Sequence, residues 1–191
     1  MNLEERVSAR TSNTRMRWLV FGILTVIIAV FVWLMGWGIL NKAGVTGNSG
    51  ISRLEGPAPD FKLPLFNSSE IQLSQLVGQP VVLNFWASWC PPCREEALHL
   101  ERIWREYKNE DVWIIGINIQ DTPEDGMAHI REFDVTYPNG LDFDGSITVQ
   151  YGVIGLPTTF FVNRRGVVDR RWVGPISEEQ LKNWIDEMAA D

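Results

Sequence analysis

Cysteine and histidine are scarce in this sequence. Its 191 residues include two of each, Cys90, Cys93, His99 and His129. A structural zinc site takes four ligands, usually two cysteine pairs or one pair with added histidines. The two histidines fall on separate predicted helices, so the sequence predicts no metal site. A chain of this length can bury a core without covalent help, so the cysteine pair is not needed to hold the fold together.

Positive charge is also in short supply. The chain has 17 Lys and Arg against 24 Asp and Glu, a formal net charge of −7, which argues against nucleic acid as a partner. The charge is unevenly spread: residues 1–17 carry four arginines and two glutamates, whereas residues 41–191 carry 13 basic and 22 acidic side chains. The two ends of the chain are therefore expected in different surroundings.

Residues 18–40 contain no charged side chain. A helix of these 23 residues would be about 34 Å long, enough to cross a hydrocarbon core about 30 Å thick. A cleaved signal peptide is the alternative, but its apolar run is usually only ~7–15 residues. The arginines before the run predict a cytoplasmic segment 1–17 by the positive-inside rule. We therefore predict a single-pass membrane protein with a transmembrane helix at 18–40, a Gly- and Ser-rich linker at 41–56 and an extracytoplasmic domain at 57–191.

The domain alternates strand-like and helix-like segments. Continuous apolar runs at 81–87 and 112–119 are typical of strands buried on both faces. Each run is followed by a helical pattern that begins at a proline, and Thr122 is a plausible N-cap of the second helix. The other predicted elements are an N-terminal hairpin from "FKLPLF" and "IQLSQL", a hairpin from "TTFFV" and "VVDRRWV", and a final helix with a capping box at Ser177 and Gln180. The pattern predicts an α/β domain with a mixed central sheet and helices on both faces.

The two cysteines lie three positions apart in "NFWASWCPPCREE", between the first buried strand and the first helix. A disulfide across so small a loop removes little entropy from the unfolded chain, so a structural role is disfavoured. A cysteine at a helix N-terminus has a lowered pKa, because the helix dipole stabilises its thiolate. The position therefore favours a redox pair, in which Cys90 is the nucleophile and Cys93 resolves the mixed disulfide.

Three motifs carry a family resemblance: "APDFKL", "LSQLVGQPVVLNFWASWCPPCREE" and "YGVIGLPTTFFVNRRGVV". In order and spacing they resemble the membrane-anchored thioredoxin-like proteins of the TlpA, ResA and CcmG (DsbE) type, over about residues 57–190. The resemblance implies a thioredoxin fold with an N-terminal β-hairpin extension and thiol–disulfide exchange outside the cytoplasm, without a cofactor. It also implies that Pro157 is a cis-proline opposite the cysteines and that Leu156, Pro157 and Thr158 contact the substrate.

The resemblance gives a role to Glu96, three places after the second cysteine. Many family members carry an acid there, thought to tune proton transfer, although a first-turn glutamate can also be explained by the helix dipole alone. Asn84 stands where cytoplasmic thioredoxins keep a buried aspartate, and Leu98 stands where many members have proline. Of the nearby tryptophans, Trp89 is expected to shield the cysteines and Trp86 to belong to the core.

The dipeptide Pro91–Pro92 predicts the direction of electron flow. Proline has no N–H, so two possible donors to the Cys90 thiolate are missing and chiefly the Cys93 amide is left. A less stabilised thiolate makes the reduced form less stable and the couple more reducing. The sequence thus favours a reductase over a disulfide-forming oxidant, which stays an alternative.

By resemblance, the expected clients are exported proteins with disulfides, such as apocytochrome c or copper-site proteins of respiratory oxidases. The expected electron donor is a membrane thiol transporter of the CcdA or DsbD type. Two further alternatives fit less well. A thiol peroxidase also opens with "APDF", but has Pro and Thr or Ser where this chain has Asn84 and Ala87. A copper carrier of the Sco type spaces its cysteines by three residues and adds a distal histidine, and His129 lies in the wrong region for it.

Overall fold

The computed structural model describes residues 17–33 and 56–190. They belong to two compact units, Met1–Asn48 and Ser49–Asp191. In the first unit, residues 17–33 form helix α1, whose side chains are exposed. No helix within the described residues is both long and apolar enough to span a bilayer. Residues 34–40 of the predicted span, nearly all of the predicted linker and most of segment 1–17 lie outside the described part.

In the described part of the second unit, strands and helices follow the predicted order. The long predicted strands, the helix after the cysteines and both hairpins are confirmed. The strands are β1 (Gly56–Pro57), β2 (Lys62–Pro64), β3 (Glu70–Gln72), β4 (Val81–Trp86), β5 (Trp113–Asn118), β6 (Asn139–Leu141), β7 (Thr158–Val162) and β8 (Val167–Val173). The helices are α2 (Pro91–Tyr107), α3 (Pro123–Glu132), α4 (Ser146–Gln150) and α5 (Glu178–Ala190), with a short 3₁₀ helix at Leu73–Leu76.

Six strands form one mixed sheet in the order β1-β8-β7-β4-β5-β6, and β2 and β3 form a separate hairpin. Strands β4, β5 and β6 are parallel, whereas β7 and β8 run antiparallel to their neighbours. This is the thioredoxin-like α/β arrangement with the N-terminal hairpin that the resemblance implies. In β1, Gly56 lies opposite Val168 of β8.

Central strand β4 explains how the two faces of the sheet are filled. All six of its residues are buried. Because side chains alternate across a strand, Val81, Leu83 and Phe85 face the hairpin, the 3₁₀ helix and α4, while Val82 packs with residues of α2 and α5. The continuous apolar run therefore reflects a strand covered on both sides, as predicted.

Two helix starts follow the predicted capping chemistry. The Thr122 hydroxyl accepts a hydrogen bond from the Asp125 amide (3.1 Å) at the start of α3. The Ser177 hydroxyl accepts one from the Gln180 amide (3.2 Å) before α5. A side-chain oxygen at these places satisfies an amide that has no partner within the helix.

Candidate active site

Helix α2 places both cysteines directly after strand β4. The strand ends at Trp86, and Cys90 is the N-cap of the helix that begins with Pro91 and Pro92. Cys90 and Cys93 are joined by a disulfide and both are buried. Because Cys90 caps the helix, its sulfur lies at the positive end of the helix dipole.

A backbone amide bonds the Cys90 sulfur. The N–H of Cys93 donates to Sγ of Cys90 at 3.3 Å and to its carbonyl oxygen at 3.1 Å. The two prolines between the cysteines have no N–H to offer.

Glu96 lies one turn beyond Cys93 and is only 1% exposed. Its Oε1 accepts from Nδ2 of Asn84 (2.8 Å) and its Oε2 from the amide of Ile176 (3.1 Å). Asn84 Nδ2 also donates to the hydroxyl of Thr159 (3.1 Å). The side-chain amide of Asn84 thus connects strand β4 to strand β7 and to helix α2. Burial raises the pKa of Glu96 to about 7, although the two hydrogen bonds act in the opposite direction. Near neutral pH this carboxyl can therefore either give or take a proton.

The two tryptophans before the cysteines occupy different environments. Trp86 is buried, as predicted, and belongs to the cluster that contains the cysteines. Its Nε1 donates to Oδ1 of Asn139 (2.9 Å). Gly116 makes this contact possible, because a Cβ there would lie 1.8 Å from that oxygen. Trp89 is 57% exposed, yet its Nε1 donates to the carbonyl oxygen of Gln120 (2.9 Å). Trp89 is thus an ordered surface side chain next to Cys90.

A groove of about 340 Å³ runs beside Cys90. One wall is the segment from Trp89 to Pro92, and the other comes from residues 153–156. The Leu156–Pro157 peptide bond is cis, and Leu156 packs against the cysteines. Thr158 is buried, and its hydroxyl donates to the carbonyl of Gly155 (2.7 Å). Leu156 therefore faces both the redox pair and the groove, whereas the Thr158 side chain is turned inward.

The carboxylate of Asp121 holds the loop before Cys90, which the sequence did not reveal. It accepts from the amide (2.7 Å) and the hydroxyl (2.9 Å) of Ser88 and from Nδ2 of Asn118 (2.9 Å). Burial disfavours its charged form, but the hydrogen bonds from Asn118 and Ser88 outweigh burial and lower the pKa of Asp121. Its place just before the N-cap of α3 gave no hint of a contact with a loop 33 residues away.

His129 packs among aromatic side chains. Its ring lies 4.4 Å from that of Trp86 and 4.6 Å from that of Phe133. Burial, helped by the charge of Arg94, lowers the pKa of His129 to about 4. No group of three or more His, Cys, Asp or Glu within the described residues could hold a metal ion.

Leu98, which stands where many members of the resembling family have proline, is an exposed residue of α2.

A sequence profile of the AhpC/TSA family matches residues 54–171, more than half of the chain. The chain belongs to the AhpC/TSA family. The ResA thiol–disulfide oxidoreductase of Bacillus subtilis (strain 168) is 33% identical over 165 residues, covering 86% of this chain and 90% of that relative. The thiol:disulfide interchange protein DsbE of Allochromatium vinosum is 37% identical over 135 residues, covering 69% of this chain and 71% of that relative.

A solved structure points the same way. The crystal structure of a thiol:disulfide interchange protein of the DsbE type from Chlorobium tepidum matches with a TM-score of 0.67 at 31% identity. The match covers 72% of this chain and 99% of that one. With its cysteine pair at the N-terminus of α2, this member of the AhpC/TSA family is a thiol–disulfide oxidoreductase.

Proposed function

We propose that the protein reduces disulfides in exported proteins, working outside the cytoplasm. The proposed direction of electron transfer rests on the hydrogen bonds to the Cys90 sulfur. The amide of Cys93 donates to it, whereas Pro91 and Pro92, the two residues in between, have no N–H to donate. A thiolate with few donors is less stabilised, so the dithiol gives up its electrons more readily.

The proposed reaction transfers two electrons. In the reduced protein the Cys90 thiolate attacks one sulfur of the client disulfide, and a mixed disulfide forms. The other client sulfur leaves as a thiolate and takes up a proton. Cys93 then loses its proton, its thiolate attacks Cys90 Sγ, and the second client thiolate is released. The protein is left with the Cys90–Cys93 disulfide, which is the form seen here.

Glu96 is the proposed proton acceptor for Cys93 in the second step. It lies one turn along the same helix, is buried, and has its pKa raised to about 7 by that burial. A carboxyl with a pKa near the working pH can take up a proton and release it in one catalytic cycle. Trp89, Leu156 and Pro157 are the proposed contacts of the client. Trp89 and Leu156 line the groove beside the Cys90 sulfur, and a cis peptide bond joins Leu156 to Pro157.

The proposed setting is the outer face of a membrane. A helix over residues 18–40 would anchor the chain with residues 1–17 in the cytoplasm, and residues 41–56 would tether the domain. A tether raises the effective concentration of the redox pair near membrane-bound partners. The proposed donor is a membrane thiol transporter of the CcdA or DsbD type, and the proposed clients are apocytochrome c or copper-site proteins of respiratory oxidases.

The redox potential tests the direction. The full-length protein is equilibrated with thiol buffers, and the fraction of Cys90–Cys93 disulfide is measured by thiol alkylation. We expect a potential at or below that of thioredoxin, about −270 mV. A value near that of a strong oxidant, about −120 mV, would reject the reductase in favour of disulfide formation.

Trapping in cells tests the chemistry and names the client. The Cys93→Ala variant cannot resolve the mixed disulfide, so a client should stay attached to Cys90 and be identified by mass spectrometry. The Cys90→Ala variant is the matched control and should hold no client. If both variants are equally free of adducts, exchange through Cys90 is refuted.

A further inference from the structure

No charged side chain is found among the described residues that line the groove beside Cys90. The residues that line it are apolar or uncharged, from Trp89 on one wall to Ile154 on the other. In the whole chain, 21% of residues are charged. The surface at the reacting sulfur thus differs from the acidic surface expected elsewhere on this domain.

The first wall presents an aromatic ring that is fixed in place. Trp89 is 57% exposed, and its indole N–H is bonded to the carbonyl of Gln120. Gln120 has a positive φ of 50°, a conformation that residues other than glycine seldom adopt. An exposed ring held by such a neighbour offers a rigid apolar face at little cost in conformational entropy.

The second wall presents an aliphatic side chain on an ordered loop. Ile154 is 90% exposed. On its N-terminal side the amide of Val153 donates to the carbonyl of Thr148 (3.0 Å), and on its C-terminal side the Thr158 hydroxyl bonds the carbonyl of Gly155. The loop is therefore held on both sides of Ile154, while the side chain itself is left to solvent.

We propose that this groove selects clients with a bulky, uncharged apolar side chain next to the cysteine that Cys90 attacks. The groove's volume is at the lower end of the ~300–1,000 Å³ typical of ligand sites, room for a large side chain beside the cysteine. An apolar side chain would cover Ile154 and Trp89, whereas a charged one would lose its hydration without gaining a partner. Ile154 and Trp89 are the specificity-determining residues.

This inference rests on the proposed reductase function, and a peptide series separates the two. The reduced full-length protein is given synthetic peptides with one internal disulfide, in which the residues flanking one cysteine are Leu, Ala, Asp or Lys. We expect kcat/KM for the Leu peptide to exceed that for the Ala peptide about tenfold or more, as for apolar pockets that distinguish side-chain size. The Asp and Lys peptides should be poorer than the Ala peptide.

Two variants that add a negative charge test whether the preference among peptides arises at the groove. In the Ile154→Glu variant the Leu peptide should lose its advantage and the Lys peptide should become the best substrate, because the new carboxylate gives the lysine a partner. Val149→Glu is the matched control: Val149 is 78% exposed on α4 but does not line the groove. It adds the same charge and should leave the order of the peptides unchanged.

The results of these assays distinguish selection by the groove from the reductase function itself. If the wild type reduces all four peptides equally well, the groove does not select and the inference is wrong, while the reductase function stands. If Val149→Glu reorders the peptides as Ile154→Glu does, the selection comes from long-range charge and the inference is again wrong. If no peptide is reduced at all, the proposed function itself fails.

Discussion

Replacing Glu96 by Gln should change how the stability of the protein depends on pH. The folded protein holds this carboxyl at a pKa of about 7 because it is buried, against an ordinary value of 4.5. Between these two pH values the folded state keeps a proton that the unfolded chain has already released. The contribution of Glu96 to the free energy of unfolding therefore falls as pH rises through this window and is lost above pH 7.

The change in the free energy of unfolding follows from the difference between the two pKa values of Glu96. Each pKa unit is worth about 1.4 kcal/mol, so the full window corresponds to about 3 kcal/mol. Glutamine stays neutral, so the variant does not lose this free energy of unfolding as pH rises. It has a single acceptor oxygen, however, where Glu96 uses one oxygen for Asn84 and the other for Ile176, so the variant should lose about 1–3 kcal/mol at low pH.

The measurement is denaturant unfolding of the oxidised wild type and the Glu96→Gln variant at steps from pH 4.5 to pH 8. We expect the variant to be the less stable protein at pH 4.5 and to gain about 3 kcal/mol on the wild type by pH 8. Other titrating groups cancel in this difference. Glu95→Gln, at an exposed position of the same helix, is the control and should show no such gain. A constant difference for Glu96→Gln across the range would refute the buried, half-protonated carboxyl.

Three further predictions concern stability. Burial lowers the pKa of His129 to about 4 from 6.5, so the contribution of His129 to the free energy of unfolding is lost as pH falls from 6.5 to 4, opposite in sign to that of Glu96. In denaturant unfolding, His129→Phe should therefore become more stable relative to the wild type as pH falls over this range, and a constant difference between the two proteins would contradict it. Gly116→Ala should cost about 1–3 kcal/mol of unfolding free energy, because its Cβ would lie 1.8 Å from Oδ1 of Asn139, and an unchanged midpoint would show that this contact relaxes freely. Thr122→Ala should cost about 1 kcal/mol, because the Asp125 amide loses its cap, and should leave the redox potential unchanged; a shifted potential would contradict a purely structural cap.

The elements that were predictable are those with a local signal. Strand β4 is a continuous apolar run, and α2 begins at Pro91 and carries its apolar residues at helical spacing. Both hairpins have turn residues between their strands, and the caps of α3 and α5 are short-range hydrogen bonds. Such features need only neighbouring residues, so a pattern in the sequence suffices to find them.

The elements that were not predicted are short and depend on their surroundings. Strand β6 has three residues and lies at the edge of the six-stranded sheet, where β5 is its one neighbouring strand among the described residues. An isolated bridge also joins Gly140 of β6 to Leu65, which directly follows β2. Helix α4 has five residues, and the buried carboxylate of Asp142 bonds the amides of Ile147 and Thr148 at its start. Neither has a long periodic pattern, so tertiary contacts decide that they form.

The sequence by itself determined where the chemistry is, because two cysteines at the start of a helix are a property of adjacent residues. It also determined the order of the main strands and helices through their apolar patterns. Only the tertiary structure decided how the site works. The bond between Glu96 and Ile176 joins residues 80 positions apart, and the groove combines Trp89 with Ile154 from a distant loop. Burial and hydrogen-bonding across such distances arise when the sheet and helices pack together, and they set the proton affinity of Glu96 and the shape of the surface beside Cys90.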